Sequence, residues 1–137
     1  MKEESPGHAE ARAQSVARRS VDALYGGDRA SQMLGMKVEE CGPGTAQVSM
    51  RVRADMVNGH GICHGGLVFT LADSAFAFAC NSHGDNTVAA GAAIEFLLPA
   101  REGDLLTAAA HERWRTGRKT CLSSQLAPAR ALAAKMG

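Results

Sequence analysis

An α+β fold, one antiparallel sheet wrapped around a single buried helix, follows from three observations. Ala46, Val48, Met50 and Val52 alternate with Gln47, Ser49, Arg51 and Arg53, the two-residue period of a strand with one wet face. Leu67 to Ala79 is too long and too uniformly apolar for an ordinary strand, and reads as a central helix enclosed by protein. Beyond it, Thr87 to Leu98 and Leu105 to Trp114 read as two longer strands. The plan is hairpin, helix, hairpin, with the helix packed on one face of the sheet.

Taken in order, residues 1–30 form an appended helical extension. Ala11, Val16, Val21 and Leu24 give a partial apolar stripe among arginines, and Gly26-Gly27-Asp28 ends it. Met36 to Cys41 is the expected hairpin partner of the alternating strand. Gly42-Pro43-Gly44 between them supplies the reversal, because glycine tolerates positive φ and proline fixes its own. Pro99-Ala100-Arg101-Glu102-Gly103 is a turn-like connection between the two later strands. No internal repeat is visible.

The 137 residues fit one domain. With 15 basic and 14 acidic residues, the chain has no basic field for nucleic acid and no polybasic membrane patch. Its longest apolar segment, Leu67 to Cys80, is shorter than a bilayer span and is interrupted by Thr70, Asp73 and Ser74. The N-terminal Met-Lys-Glu-Glu lacks the apolar core of a secretory signal, so a cytoplasmic protein is expected. The partner expected from composition is a small molecule or a second copy. Cys41, Cys63, Cys80 and Cys121 stand far apart without a C-x-x-C pair, which makes reduced thiols the default.

Chemistry concentrates in Val57-Asn58-Gly59-His60-Gly61-Ile62-Cys63-His64-Gly65-Gly66, directly before an apolar helix whose only charge is Asp73. Asp73 is too far into the helix to be an N-cap, and Asp is a poor interior helix former, so local structure does not explain it. Phe69 and Phe76, one turn away, would desolvate the carboxylate and make it a more effective base. Gly65-Gly66 is a turn into a helix, and amides at a helix start favour a developing oxyanion. Asn58 before Gly59 reads first as a turn residue, since Asn-Gly is a common turn dipeptide. Cys63 beside His64 could be a thiolate nucleophile or a small packing residue. A metal cluster of His60, Cys63 and His64 lacks a fourth ligand nearby, so no metal is expected. A dinucleotide loop fails because His64 stands where the third glycine belongs. No cofactor is expected.

From about Ala30 to about Trp114 the sequence resembles the hotdog-fold acyl-CoA thioesterases of the phenylacetate-degradation type, the PaaI-like family. The resemblance rests on Asn58-Gly59, His64-Gly65-Gly66, Leu71-Ala72-Asp73-Ser74-Ala75, Ala79-Cys80-Asn81-Ser82 and Glu95-Phe96-Leu97-Leu98-Pro99, in that order. It implies hydrolysis of an acyl-CoA, with phenylacetyl or hydroxyphenylacetyl as the acyl group. It also implies three catalytic residues: Asp73 as base or nucleophile, Gly65 as oxyanion donor through its N–H, and Asn58 orienting the carbonyl or the water. His64 and Gly66 would contact substrate or fix the turn. Family members form homodimers, or dimers of dimers, with sites at the subunit interface, the Asn and Gly from one subunit and the Asp from the other. The hydroxyl that some relatives carry on the strand after the helix has no counterpart from Val88 to Ala93.

Residues 31–118 are accordingly expected to form the hotdog domain. Residues 119–137 are expected to be an atypical Ala-rich tail: the alternating strands that the family places there are missing, and Pro128 onward suits a short helix. Loss of those strands would expose a sheet edge. Two alternatives stand beside the thioesterase reading, a non-catalytic acyl-CoA-binding protein and a variant inactivated by its altered end.

Overall fold

The computed structural model describes residues 2–117 and 119–128. Along the chain come α1 (Pro6–Gly27), α2 (Arg29–Met33), β1 (Lys37–Gly42), β2 (Thr45–Arg51), a short 3-10 turn at Ala54–Met56, α3 (Gly65–Asn81), β3 (Leu105–Thr116) and β4 (Lys119–Pro128). The strands form one antiparallel sheet in the order β1-β2-β3-β4, and α3 packs on one face of it. Among the described residues no helix is long and apolar enough to cross a membrane.

The expected N-terminal helix is two helices. Ser5 caps α1 by accepting from the His8 N–H, and Pro6 occupies its first turn, where a missing N–H costs nothing. Asp28 then ends α1 and caps α2, its carboxylate accepting from the Ser31 N–H at 2.9 Å and the Ser31 hydroxyl at 2.6 Å. Gln14 donates to the Cys41 carbonyl and Tyr25 to the Met36 carbonyl, so α1 lies along β1 and covers that edge of the sheet.

The β1–β2 hairpin forms where the alternation and Gly42-Pro43-Gly44 place it, with Gly44 at φ +72°. Inward-facing Val48, Met50, Leu106 and Ala108 meet Leu71, Ala75 and Phe78 of α3 in the core. The second hairpin is not the expected one. β3 pairs with β2 and with β4, whereas Thr87 to Leu98 joins no strand. No backbone–backbone hydrogen bond ties residues 88–98 to the other described residues. Val88 is 90% and Leu97 84% exposed. That stretch has the apolar content of a strand but, among the described residues, no ladder to join.

The tail expectation is also corrected. Lys119 to Pro128 is a strand paired with β3 along its length, from Thr116↔Lys119 to Leu106↔Pro128. Leu122, Ser124, Leu126 and Pro128 fall on one row, and Leu122 and Leu126 pack against the core. Pro128 therefore ends a strand, and the rest of the expected short helix lies outside the described residues. The outer edge of β4 has no strand beside it among the described residues.

α3 begins at Gly65 and ends at Asn81, close to expectation, but it is not enclosed all round. Leu71, Ser74, Ala75, Phe78 and Ala79 are buried, while Phe69 and Phe76 are half-buried and Asp73 is exposed. Its C-terminal end is closely tied down. The buried Ser82 hydroxyl accepts from the Gly44 N–H at 2.7 Å and donates to the Ala79 carbonyl at 2.6 Å. The Asn81 side chain bonds the N–H and the carbonyl of Thr87, both at 2.9 Å. His83 Nε2 lies 3.2 Å from both Glu112 carboxylate oxygens, and Thr120 donates to the same carboxylate at 3.1 Å.

Candidate active site

The loop before α3 is a compact turn. The Asn58 N–H donates to the Ile62 carbonyl at 2.8 Å, and its side-chain oxygen accepts from the backbone N–H groups of His60 at 2.9 Å and Ile62 at 3.3 Å. Asn58 thus performs the turn role that its sequence context allows. Its side-chain NH₂ has no partner among the described residues. Cys63 donates its N–H to the Ala100 carbonyl and His64 its N–H to the Met56 carbonyl, which anchors the end of the loop on both sides.

His64 is the N-cap of α3. Its Nδ1 accepts from the Gly66 N–H at 2.9 Å, so in the neutral ring the proton sits on Nε2. The carbonyl of His64 takes the N–H groups of Leu67 and Val68. Within this first turn Gly65 alone keeps an amide without a partner among the described residues. A helix start with one unspent N–H offers an aligned donor with partial positive charge, a kind of group that favours a developing negative charge. Gly66, by contrast, spends its N–H on the cap.

Asp73 stands two turns further along. The neighbouring Ser74 is buried, with its hydroxyl 2.7 Å from that of Ser31, which in turn bonds Asp28. Since successive helix residues are about 100° apart, this buried anchor sets the rotation of α3 and turns Asp73 outward. The desolvation expected from Phe69 and Phe76 is not found in the single chain, where the carboxylate faces a cavity of about 650 Å³. Val68, Phe69, Asp73 and Phe76 of α3, the residues 91–98, and Leu122 and Leu126 of β4 line it. Gly65 and Asp73 are eight residues apart, roughly 12 Å along the helix axis, too far to act on one carbonyl.

Cys63 is buried and its thiol is pushed up by that burial, which opposes thiolate formation and leaves the packing role. Sequence reasoning missed two features. The Asp28–Ser31–Ser74 tie joins residues too distant in sequence to be paired by eye. Phe96, read only as part of a strand end, sits on Gly65: a Cβ at that glycine would lie 3.2 Å from the Phe96 ring.

Comparison with known proteins agrees with this fold. The family model described as thioesterase superfamily matches residues 60–125. Over 91 residues, 66% of this chain, the sequence is 48% identical to the acyl-coenzyme A thioesterase PaaI of Escherichia coli strain K12, of which it covers 65%. The structure of the E. coli PaaI protein from the phenylacetic acid degradation operon superposes with a TM-score of 0.85 at 38% identity, covering 86% of each chain. The TT0310 protein of Thermus thermophilus superposes with a TM-score of 0.72 at 37% identity, over 74% of this chain and 86% of that one. A sheet around a central helix that superposes on these structures defines the class as hotdog. The chain belongs to the thioesterase superfamily, among its PaaI-like members. It matches just under two thirds of the length of the E. coli thioesterase.

Proposed function

We propose that the protein hydrolyses acyl-CoA thioesters, with an arylacetyl group such as phenylacetyl or hydroxyphenylacetyl as the acyl part. The unspent Gly65 N–H at the start of α3 carries the reading. A thioester oxygen accepting from it is polarised by an aligned donor, and the Asn58 NH₂ is free to hold the carbonyl or a water. The Asp73 carboxylate either attacks the carbonyl carbon, expelling the CoA thiolate and leaving an anhydride that water opens, or takes a proton from water as that water attacks. Either route ends in free acid and CoA. His64 acts by holding the turn, and Gly66 by letting substrate approach the backbone.

The 12 Å or so between Gly65 and Asp73 requires a second copy. In the proposed homodimer, or dimer of dimers, Gly65 and Asn58 of one subunit face Asp73 of the other, and the partner covers the cavity and desolvates the carboxylate. An acyl-CoA substrate fits a cytoplasmic protein.

The test is thiol release from a panel of acyl-CoAs, combined with subunit complementation. Gly65→Pro removes the donor at a position where proline is welcome in a helix, and Asp73→Asn removes the carboxylate. Each variant alone should be inactive. Co-expressed in equal amounts they should regain about a quarter of wild-type turnover, because half the dimers are mixed and each mixed dimer holds one intact site. No recovery would overturn the shared site. Binding of acyl-CoA by the wild type without thiol release would favour the non-catalytic alternative.

A further inference from the structure

We propose that Phe96 selects the acyl group, its ring forming the aromatic wall against which an arylacetyl group packs at the Gly65 amide. The inference rests on the thioesterase reading and adds to it the residue that discriminates among acyl-CoAs.

Three observations carry it. First, the ring touches the polarising position: a Cβ built on Gly65 would lie 3.2 Å from Cζ, 3.4 Å from Cε1 and 3.8 Å from Cε2 of Phe96. The ring approaches tip-on, closer than most Cβ contacts, and a side chain at position 65 would push the exposed ring back by a few tenths of an ångström. Second, core packing does not account for this contact, since Phe96 is 58% exposed and lies on a stretch without ladder bonds. An aromatic side chain that leaves most of its surface open while its tip rests on backbone has a face to offer. Third, it also lines the cavity that Val68 and Phe69 of the same helix line, so the ring that rests on Gly65 continues into an apolar surface.

The geometry of the substrate completes the argument. A thioester oxygen bonded to the Gly65 N–H sits about 2.9 Å from the nitrogen. The α-carbon of the acyl group is two bonds from that oxygen, so a group it bears is near enough to the Gly65 backbone to turn onto the Phe96 ring. An acetyl group ends at its α-carbon and gains little. A phenylacetyl group presents a ring there, and aromatic pairs prefer the offset or edge-to-face contacts that a tip-anchored ring allows.

The experiment compares equilibrium binding of non-hydrolysable thioether analogues of phenylacetyl-CoA and acetyl-CoA, alongside turnover of the two thioesters. Phe96→Ala should weaken the phenylacetyl analogue about three- to tenfold and leave the acetyl analogue within about twofold. Phe96→Tyr should keep the wild-type preference, and Phe96→Leu, which retains apolar bulk, should fall between. In turnover the loss should appear in KM for phenylacetyl-CoA with kcat little changed. Equal losses for both analogues, no loss, or no binding of either analogue by the wild type would overturn the proposal. A wild type that binds the analogues selectively through Phe96 but releases no thiol would sink the catalytic reading alone.

Discussion

At the C-terminal end of α3, the side chains of Ser82, Asn81 and His83 bond Gly44, Thr87 and Glu112. At the N-terminal end, the cap satisfies Gly66, Leu67 and Val68 but leaves the Gly65 N–H and the Asn58 NH₂ without partners among the described residues. A buried or half-buried donor left over in a folded chain needs a reason, since pairing it would stabilise the fold. On the proposed reading the two ends divide the work: one holds the helix to the sheet, the other holds groups in readiness for a ligand.

Substitutions can break that division. The largest effect is expected from Asp73→Asn, which should lower kcat by about a hundredfold to ten-thousandfold, as loss of a general base does, while the unfolding midpoint stays within error. An equally large loss of stability would move Asp73 to the structural side of the comparison. Gly65→Pro should cost about a hundredfold to a thousandfold in kcat, the range for one oxyanion donor, with circular dichroism unchanged. At the opposite end, Ser82→Ala strands the buried Gly44 N–H and should destabilise by about 1–3 kcal/mol in urea unfolding, with kcat per folded molecule unaltered. A kinetic defect in that variant would blur the boundary between the two ends.

The smallest expected effect concerns the thiols. Burial pushes both Cys63 and Cys80 above the ordinary thiol value of 9.0. The folded state thus holds these protons more tightly than the unfolded chain does. The stability they contribute is complete below pH 9.0 and is lost as pH rises through the folded-state values. Iodoacetamide at pH 8 should label exposed Cys121 first and leave Cys63 and Cys80 until the protein unfolds.

Local periodicity made β2 and α3 readable from sequence, and the order Asn58, His64, Gly65, Asp73 made the family readable. What escaped was non-local. Ser123, Ser124 and Gln125 hide the strand character of 119–128, which exists because β3 offers it a ladder. Thr87 to Leu98 has the opposite problem, a strand-like sequence without a neighbour in its own chain. Within the site, residue types were legible but their assignments were not. That Asn58 uses its oxygen on the turn, that His64 rather than water takes the Gly66 N–H, and that Phe96 reaches Gly65 all depend on how distant segments meet.

The uncovered run from Val88 to Leu98 also bears on the life of the chain before assembly. With Leu97 at 84% and Leu98 at 62% exposure, and backbone groups without backbone partners among the described residues beside them, a lone subunit presents an adhesive ribbon to any sheet edge it meets. The proposed dimer would remove that hazard by mass action, and the thermal midpoint would then climb with protein concentration. The dilute, newly released chain is the form that aggregation and proteolysis would claim.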